Sequence, residues 1–280
     1  MKKTKMVSKL IQIVKHILLL GLSFVWIYPF LWMVSASFKT KSDFFADRLG
    51  IIPRNVTFDN FKRVWTEAHF DKYFINTVIV TAVTVLLVLI MTAMAGYVLG
   101  RYSFFGKNLI LLIFVASITI PLVSTVIPTY QVVKNMHLVG TRTGLILAGA
   151  GGAHVVFLML FSGYFKQIPK EMEEAAKIDG CGFFQLFLSV MLPLAKPIAT
   201  TVVIMETVWT WNAFLLPLVL TLSNPSSRTL AVGLYAFKGE NTIDWTGIAA
   251  GGTVSVIPII LLFLLTQKYF VDGIAGAVKS

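Results

Sequence analysis

Six stretches of this chain carry almost no ionisable side chain, and that constrains its fold more than any other feature. Ile17–Phe38, Tyr73–Gly100, Asn108–Val133, Thr143–Phe165 and Trp245–Gln267 contain no Asp, Glu, Lys or Arg, and Pro197–Ser227 is interrupted only by Glu206. A helix needs roughly 17–25 mostly apolar residues to cross a hydrocarbon core of about 30 Å. Each stretch is long enough. Charged residues make up 13% of the chain, about half the roughly 25% usual in soluble domains. The pattern predicts an all-α membrane protein with six transmembrane helices, multi-pass in the cell membrane. A membrane barrel would show short alternating segments instead of unbroken runs.

Orientation follows from the start of the chain. Lys2, Lys3, Lys5, Lys9 and Lys15 precede the first span, and basic residues flanking a span stay cytoplasmic. Six spans then place both termini inside. The Lys/Arg distribution, 13 inside against 11 outside, does not oppose this. The apolar run near the start exceeds the roughly 7–15 residues of a signal-peptide core, so Val34-Ser35-Ala36 is read as part of a retained helix rather than a cleavage site. The net charge of +11 suits basic membrane-flanking loops. It does not indicate nucleic-acid binding, because there is no soluble basic domain.

Several chemistries lack their residues. Cys181 is the single cysteine, so it has no internal disulfide partner, and no Cys/His cluster suggests a metal. No G-x-x-x-x-G-K-[ST] phosphate loop occurs, and Gly149–His154 departs from G-x-G-x-x-G because His154 stands where the last glycine belongs. No catalytic residues and no cofactor bound by this chain are expected.

Between the fourth and fifth apolar tracts lies a polar segment, Glu171–Pro193, which faces the cytoplasm in this topology. Pro169 suits the first turn of a helix. Lys170–Glu174 and Glu173–Lys177 are i,i+4 pairs of opposite charge, each stabilising an exposed helix by a few tenths of a kcal/mol. Ile168, Met172, Ala175/Ala176 and Asp179 recur on one side. Gly180 supplies a stop. Phe183–Leu192 follows as an apolar stretch too short to span, lying along the membrane or under the bundle. Pro193 is expected to end it, and Pro197 to open the next span. An ordinary surface loop with a short helix is the alternative reading.

Glu174-Ala175-Ala176, then Gly180 four residues later, then Val190-x-Leu192-Pro193 after nine more, resembles the EAA signature of ABC importer permeases, with valine in place of the usual isoleucine. The resemblance extends through Ile27–Thr40, Pro53–Phe61 (a P-x-x-x-T-x-x-N-F element), Gly100–Lys107, Trp209–Val219 and Gln267–Ser280. It points to the carbohydrate branch, and within it to the smaller permease subunit of maltose-type sugar importers. It implies a type I ABC importer permease fold. Residues 1–72 would form the cytoplasmic N-terminus, first span and outer loop. Residues 73–270 would form the core of five helices, with coupling segment 168–193, and 271–280 the cytoplasmic tail.

In that family the segment is a coupling helix that docks on an ATPase subunit. Carried onto this chain, Glu174 would meet a basic residue of the ATPase. Ala175 and Ala176 would permit close packing, Asp179 would share the docking side, and Gly180 would make the turn. The implied partners are a second homologous permease, two ATP-binding subunits that consume the ATP, an extracellular sugar-binding protein, and membrane lipid. Leu222–Asp244 is the expected contact for the binding protein, with a solvated turn as the alternative.

Inside the membrane, Glu206 lies nine residues past Pro197, about 14 Å deep at about 1.5 Å per residue. An ionisable group at that depth is a functional candidate. His154, eleven residues past Thr143, reaches a similar depth from the other side, roughly 17 Å. The two either share a polar layer or are satisfied separately. Trp209, Trp211 and Asn212 carry groups that suit stacking and hydrogen bonding to a sugar; helix packing is the competing role. Ala148–Ala153 permits close helix approach or a local break. Pro121 and Pro128 are expected to kink the third span. A permease for a non-sugar solute, a stand-alone secondary transporter and a non-transporting scaffold are the remaining alternatives.

Overall fold

The structure, a computed structural model, describes residues 2–152, 154–235, 237–239 and 243–278. The chain forms two compact units, one of Met1–Phe70 with Leu234–Val256, the other of Asp71–Gly233 with Ile257–Ser280. All long elements are helices. Three are single helices long and apolar enough to span: Ile11–Ser37 within α1 (Lys2–Ser37), α4 (Phe70–Arg101), and Trp245–Gln267 within α15 (Trp245–Val278). Three bent helix pairs bring the number of candidate spans to six.

In the first unit α1 ends against a folded loop made of α2 (Lys41–Ala46) and α3 (Asp59–Thr66). Ala36 is buried and packs with Phe44 and Ala249, and Ser35 is buried beside it, whereas Val34 is exposed. The Pro53–Phe61 element has a structural role here. Asn60 donates from Nδ2 to the carbonyls of Ser37 and Lys39, at 2.9 and 2.8 Å, and satisfies the end of α1. The buried Lys39 ammonium donates to the carbonyls of Asp47 and Gly50.

In the second unit two expected spans are broken. The third divides into α5 (Lys107–Ser117), a 3₁₀ turn at Leu122–Thr125, and α6 (Val126–Asn135), bent by 104°. Pro121 has no N–H for the carbonyl of Ser117, where α5 stops. Pro128 does not kink anything; it lies in the first turn of α6, where its missing N–H costs nothing. The fourth span is α7 (Arg142–Ala150) and α8 (Val155–Gln167). The break falls in the small-residue run, of which Ala153 lies outside the described residues.

The fifth tract also departs from a single helix. α12 (Lys196–Asn212) stops short and α13 (Leu215–Leu220) restarts, because Pro217 has no N–H for the carbonyl of Ala213. Ahead of α12 come α9 (Lys170–Ile178), α10 (Phe183–Leu186), a π turn at Phe187–Met191 and α11 (Leu192–Leu194). Pro193 does not end the apolar helix. The π turn just before it re-registers the hydrogen bonds, and the chain turns by 80° only between Leu194 and Lys196. The short helix α14 (Leu230–Tyr235) follows α13.

Candidate coupling segment and polar layer

α9 is short and sits on an aromatic base. Its acidic first turn, Glu171 and Glu173, faces the positive end of the helix dipole, and Lys177 lies in the last turn. Gly180 adopts φ +85°. Its N–H donates to Lys177 O and that of Cys181 to Ala176 O, both at 3.0 Å. That is a Schellman stop, and it needs glycine because side chains rarely tolerate this backbone. The turn expected at Gly180 is therefore present in atomic detail.

The two faces of α9 differ. Glu173 and Ala176, three residues apart, are buried. Ala176 packs into the core that holds Leu186, Phe187 and Met191, together with Tyr97, Phe161 and Phe165. The outer face carries Met172, Glu174, Ala175, Ile178 and Asp179, with Ile178 85% exposed. The adjacent alanines thus split: Ala175 leaves the outer surface low, whereas Ala176 lets α9 sit close to its own chain.

Neither expected i,i+4 ion pair forms among the described residues. Glu173 instead turns inward, and its Oε1 accepts from Arg101 Nε at 2.6 Å. Residues 101 and 173 are 72 positions apart, and no local pattern marks them as partners. The glycines of α4 had a visible signal, G-x-x-x-G at Gly96 and Gly100. A Cβ at Gly100 would stand 2.8 Å from Ser162 O, and one at Gly96 3.1 Å from Leu158 O. α4 and α8 therefore touch backbone to backbone.

The second site is a polar layer at the break between α7 and α8. His154 caps α8 in a left-handed conformation, φ +40°. Its Nε2 lies 3.0 Å from Gly149 O, and its Nδ1 3.6 Å from Glu206 Oε2 on α12. Thr210 Oγ1 donates to Glu206 Oε1 at 2.8 Å. The structure brings His154 and Glu206 together, and each also keeps a partner of its own. Glu206 is 3% exposed, and its Oε2 accepts no hydrogen bond, nor does the buried hydroxyl of Thr84 have a partner. Thr84 packs beside Gly149.

An aromatic stack leads out of this layer. His154 lies parallel to Phe157, and Phe157 to Trp209, with ring centres 6.1 and 5.1 Å apart. Trp209 is half exposed, and Asn212, also exposed, bonds back to Val208 O. Trp211 points elsewhere: it is buried, edge-on to Phe74.

Residues 224–230 are tied to the rest of the fold, although Leu222, Ser223, Pro225 and Ser226 are exposed. Asn224 Nδ2 and Ser227 Oγ both donate to Gly140 O at 2.8 Å. Asn76 of α4 holds the carbonyls of Ser226 and Arg228, and Thr77 Oγ1 accepts from the N–H of Leu230. Of the expected contact Leu222–Asp244, residues 236 and 240–242 lie outside the described residues.

The family profile described as "Binding-protein-dependent transport system inner membrane component" matches residues 92–276. "Probable ABC transporter permease protein YurM" of Bacillus subtilis is 37% identical over 90% of this chain and 84% of its own length. The diacetylchitobiose uptake system permease protein NgcG of Streptomyces coelicolor is 33% identical, over 95% of this chain and 87% of its own. The melibiose/raffinose/stachyose import permease protein MelC of Bacillus subtilis is 32% identical, over 90% and 91%. A crystal structure of a bacterial ABC transporter involved in the import of the acidic polysaccharide alginate contains a chain of the same fold, with TM-score 0.83 at 24% identity, covering 94% of this chain and 97% of that one. The chain belongs to the family of binding-protein-dependent transport system inner membrane components, and it is a multi-pass membrane protein.

Proposed function

We propose that this chain is one of the two permease subunits of an ATP-driven sugar importer. It would form half of the translocation path and take its driving force through α9. The observation that carries this is the mounting of α9: a helix buried on one face by Glu173 and Ala176, closed by a glycine turn, and presenting Met172, Ala175, Ile178 and Asp179 outward. An exposed apolar face with a small residue at its centre and Glu174 beside it suits a protein cleft that offers a cation. The remaining apolar surface suits lipid.

The substrate class rests on the relatives. NgcG and MelC are described as permeases for diacetylchitobiose and for melibiose, raffinose and stachyose. The polar layer is consistent with sugar chemistry: Glu206 Oε2 is an unused buried acceptor, and Trp209 offers a ring face. His154, Glu206, Trp209, Trp211 and Asn212 are the proposed path residues, of which Trp211 is buried against Phe74. The chain binds no cofactor; ATP is used by two ATP-binding subunits docked on the cytoplasmic side, where both termini lie. A second, homologous permease completes the path. An extracellular sugar-binding protein docks on the 222–244 region. Residues 73–270 form the core, 1–72 the leading arm and 271–280 the tail.

Proteoliposomes holding this chain with those partners test the reading. Uptake of at least one of melibiose, raffinose, stachyose or diacetylchitobiose that requires ATP supports it. ATP-independent uptake, or uptake by this chain alone, contradicts it.

A further inference from the structure

Arg101 closes α4, and its guanidinium joins three stretches of chain. Nε donates to Glu173 of α9 at 2.6 Å; Nη1 donates to Phe165 O and Ile168 O, at 3.2 and 2.7 Å. Those two carbonyls belong to the end of α8, where helical partners run out and a cation is favoured. The side chains of Arg101 and Glu173 are 6% and 11% exposed, so water screens their attraction little.

Nothing soft separates the elements behind this contact. α4 and α8 meet closely at Gly96 and Gly100, which face Phe161, Ser162 and Phe165 with no room for a side chain of their own. α9 follows α8 directly through Ile168 and Pro169. A displacement of α9 therefore has two routes inward. One is the covalent route into α8; the other is the ion pair into α4. Coupling between distant sites travels through such contiguous packed contacts.

We propose that the Arg101–Glu173 pair is the strut that carries motion of α9 into α4, so that the ends of α4, α8 and α9 move as one body. Arg101 is a positioning residue: it touches neither solute nor ATP. An apolar pair of equal volume would hold the helices together as well, but it would not fix direction. The planar guanidinium fork does, because it binds a carboxylate and two carbonyls in set geometry, which a lysine ammonium cannot reproduce. The proposal rests on the reading of α9 as the docking helix.

Hydrogen exchange of the complete importer in nanodiscs, nucleotide-free against trapped with ATP and vanadate, separates the two ideas without knowledge of the sugar. In the native importer, trapping alters exchange both at 169–180 and at the last turns of α4, residues 92–101. In R101Q and E173Q the response at 169–180 persists and that at 92–101 is lost. R101K restores it only in part, and the reversed pair R101E/E173R, which keeps both charges, restores more than either single reversal. If 92–101 responds in R101Q and E173Q as in the native importer, the strut is refuted while the docking reading stands. If 169–180 is silent in the native importer, the docking reading fails and the strut with it.

Discussion

The mount of α9 and the polar layer at His154 both bury an acid against a cation-forming side chain, yet they are built differently. At the mount, Glu173 and Arg101 are 2.6 Å apart, backed by two carbonyls and a ring cluster around Tyr97, with one guanidinium nitrogen, Nη2, left without a hydrogen bond. At the polar layer, Glu206 and His154 stand 3.6 Å apart beside a glycine-rich break, with one carboxylate oxygen and the Thr84 hydroxyl unpartnered. A short ion pair with several added hydrogen bonds fixes geometry. A longer one with fewer bonds keeps hydrogen-bonding capacity for something that passes. The first arrangement suits force transfer and the second suits a path.

Stability should divide from transport between the two regions. The largest expected effect is on stability at the mount. Glu173→Ala leaves the Arg101 guanidinium buried without its acid, a loss of about 3–5 kcal/mol, read as a lowered melting temperature in detergent. Gly100→Ala forces a Cβ against Ser162 O and should cost about 1–3 kcal/mol, with the separation of α4 and α8 as the cause. Gly180→Ala places a side chain in a left-handed turn at φ +85°, costing about 1–2 kcal/mol, and ATP use and transport should come apart in that variant. Glu206→Gln keeps the acceptor for Thr210 and should change stability by less than about 1 kcal/mol, yet lower uptake. A melting shift for Glu206→Gln as large as that of Glu173→Ala would erase the distinction. The exchange Glu206→His with His154→Glu tests the pair itself, since a double variant that transports no better than either single one removes the case for interaction.

The candidate spans were legible because lipid forbids charge over long runs, although the bent pair that includes α12 also takes in Phe183–Leu194, ahead of the Pro197–Ser227 tract. The stop at Gly180 was legible because few residues accept its backbone. The breaks were half legible. Pro121 ends a helix as its missing N–H requires, but Pro128 carries the same signal and sits harmlessly in a first turn. Depth along two spans placed Glu206 and His154 at one level, and their facing emerged only from packing. The Arg101–Glu173 pair was not legible: i,i+4 spacing offered Glu173 a local partner in Lys177, and a residue 72 positions away took it. Local charge patterns describe an isolated helix in water, whereas α9 is seated on a protein surface where desolvation favours the planar guanidinium fork.

If an ATPase subunit docks on the outer face of α9, the chain carries its own probe of that contact. Cys181, the single cysteine, is free and partly exposed, one residue beyond the turn glycine. Labelling it with a membrane-impermeant maleimide, in inside-out vesicles with and without the ATPase subunits, gives the most direct reading. Docking on α9 predicts ready labelling of the permease alone and strong protection in the full complex. Equal labelling in both would contradict the assignment of α9 as the docking site.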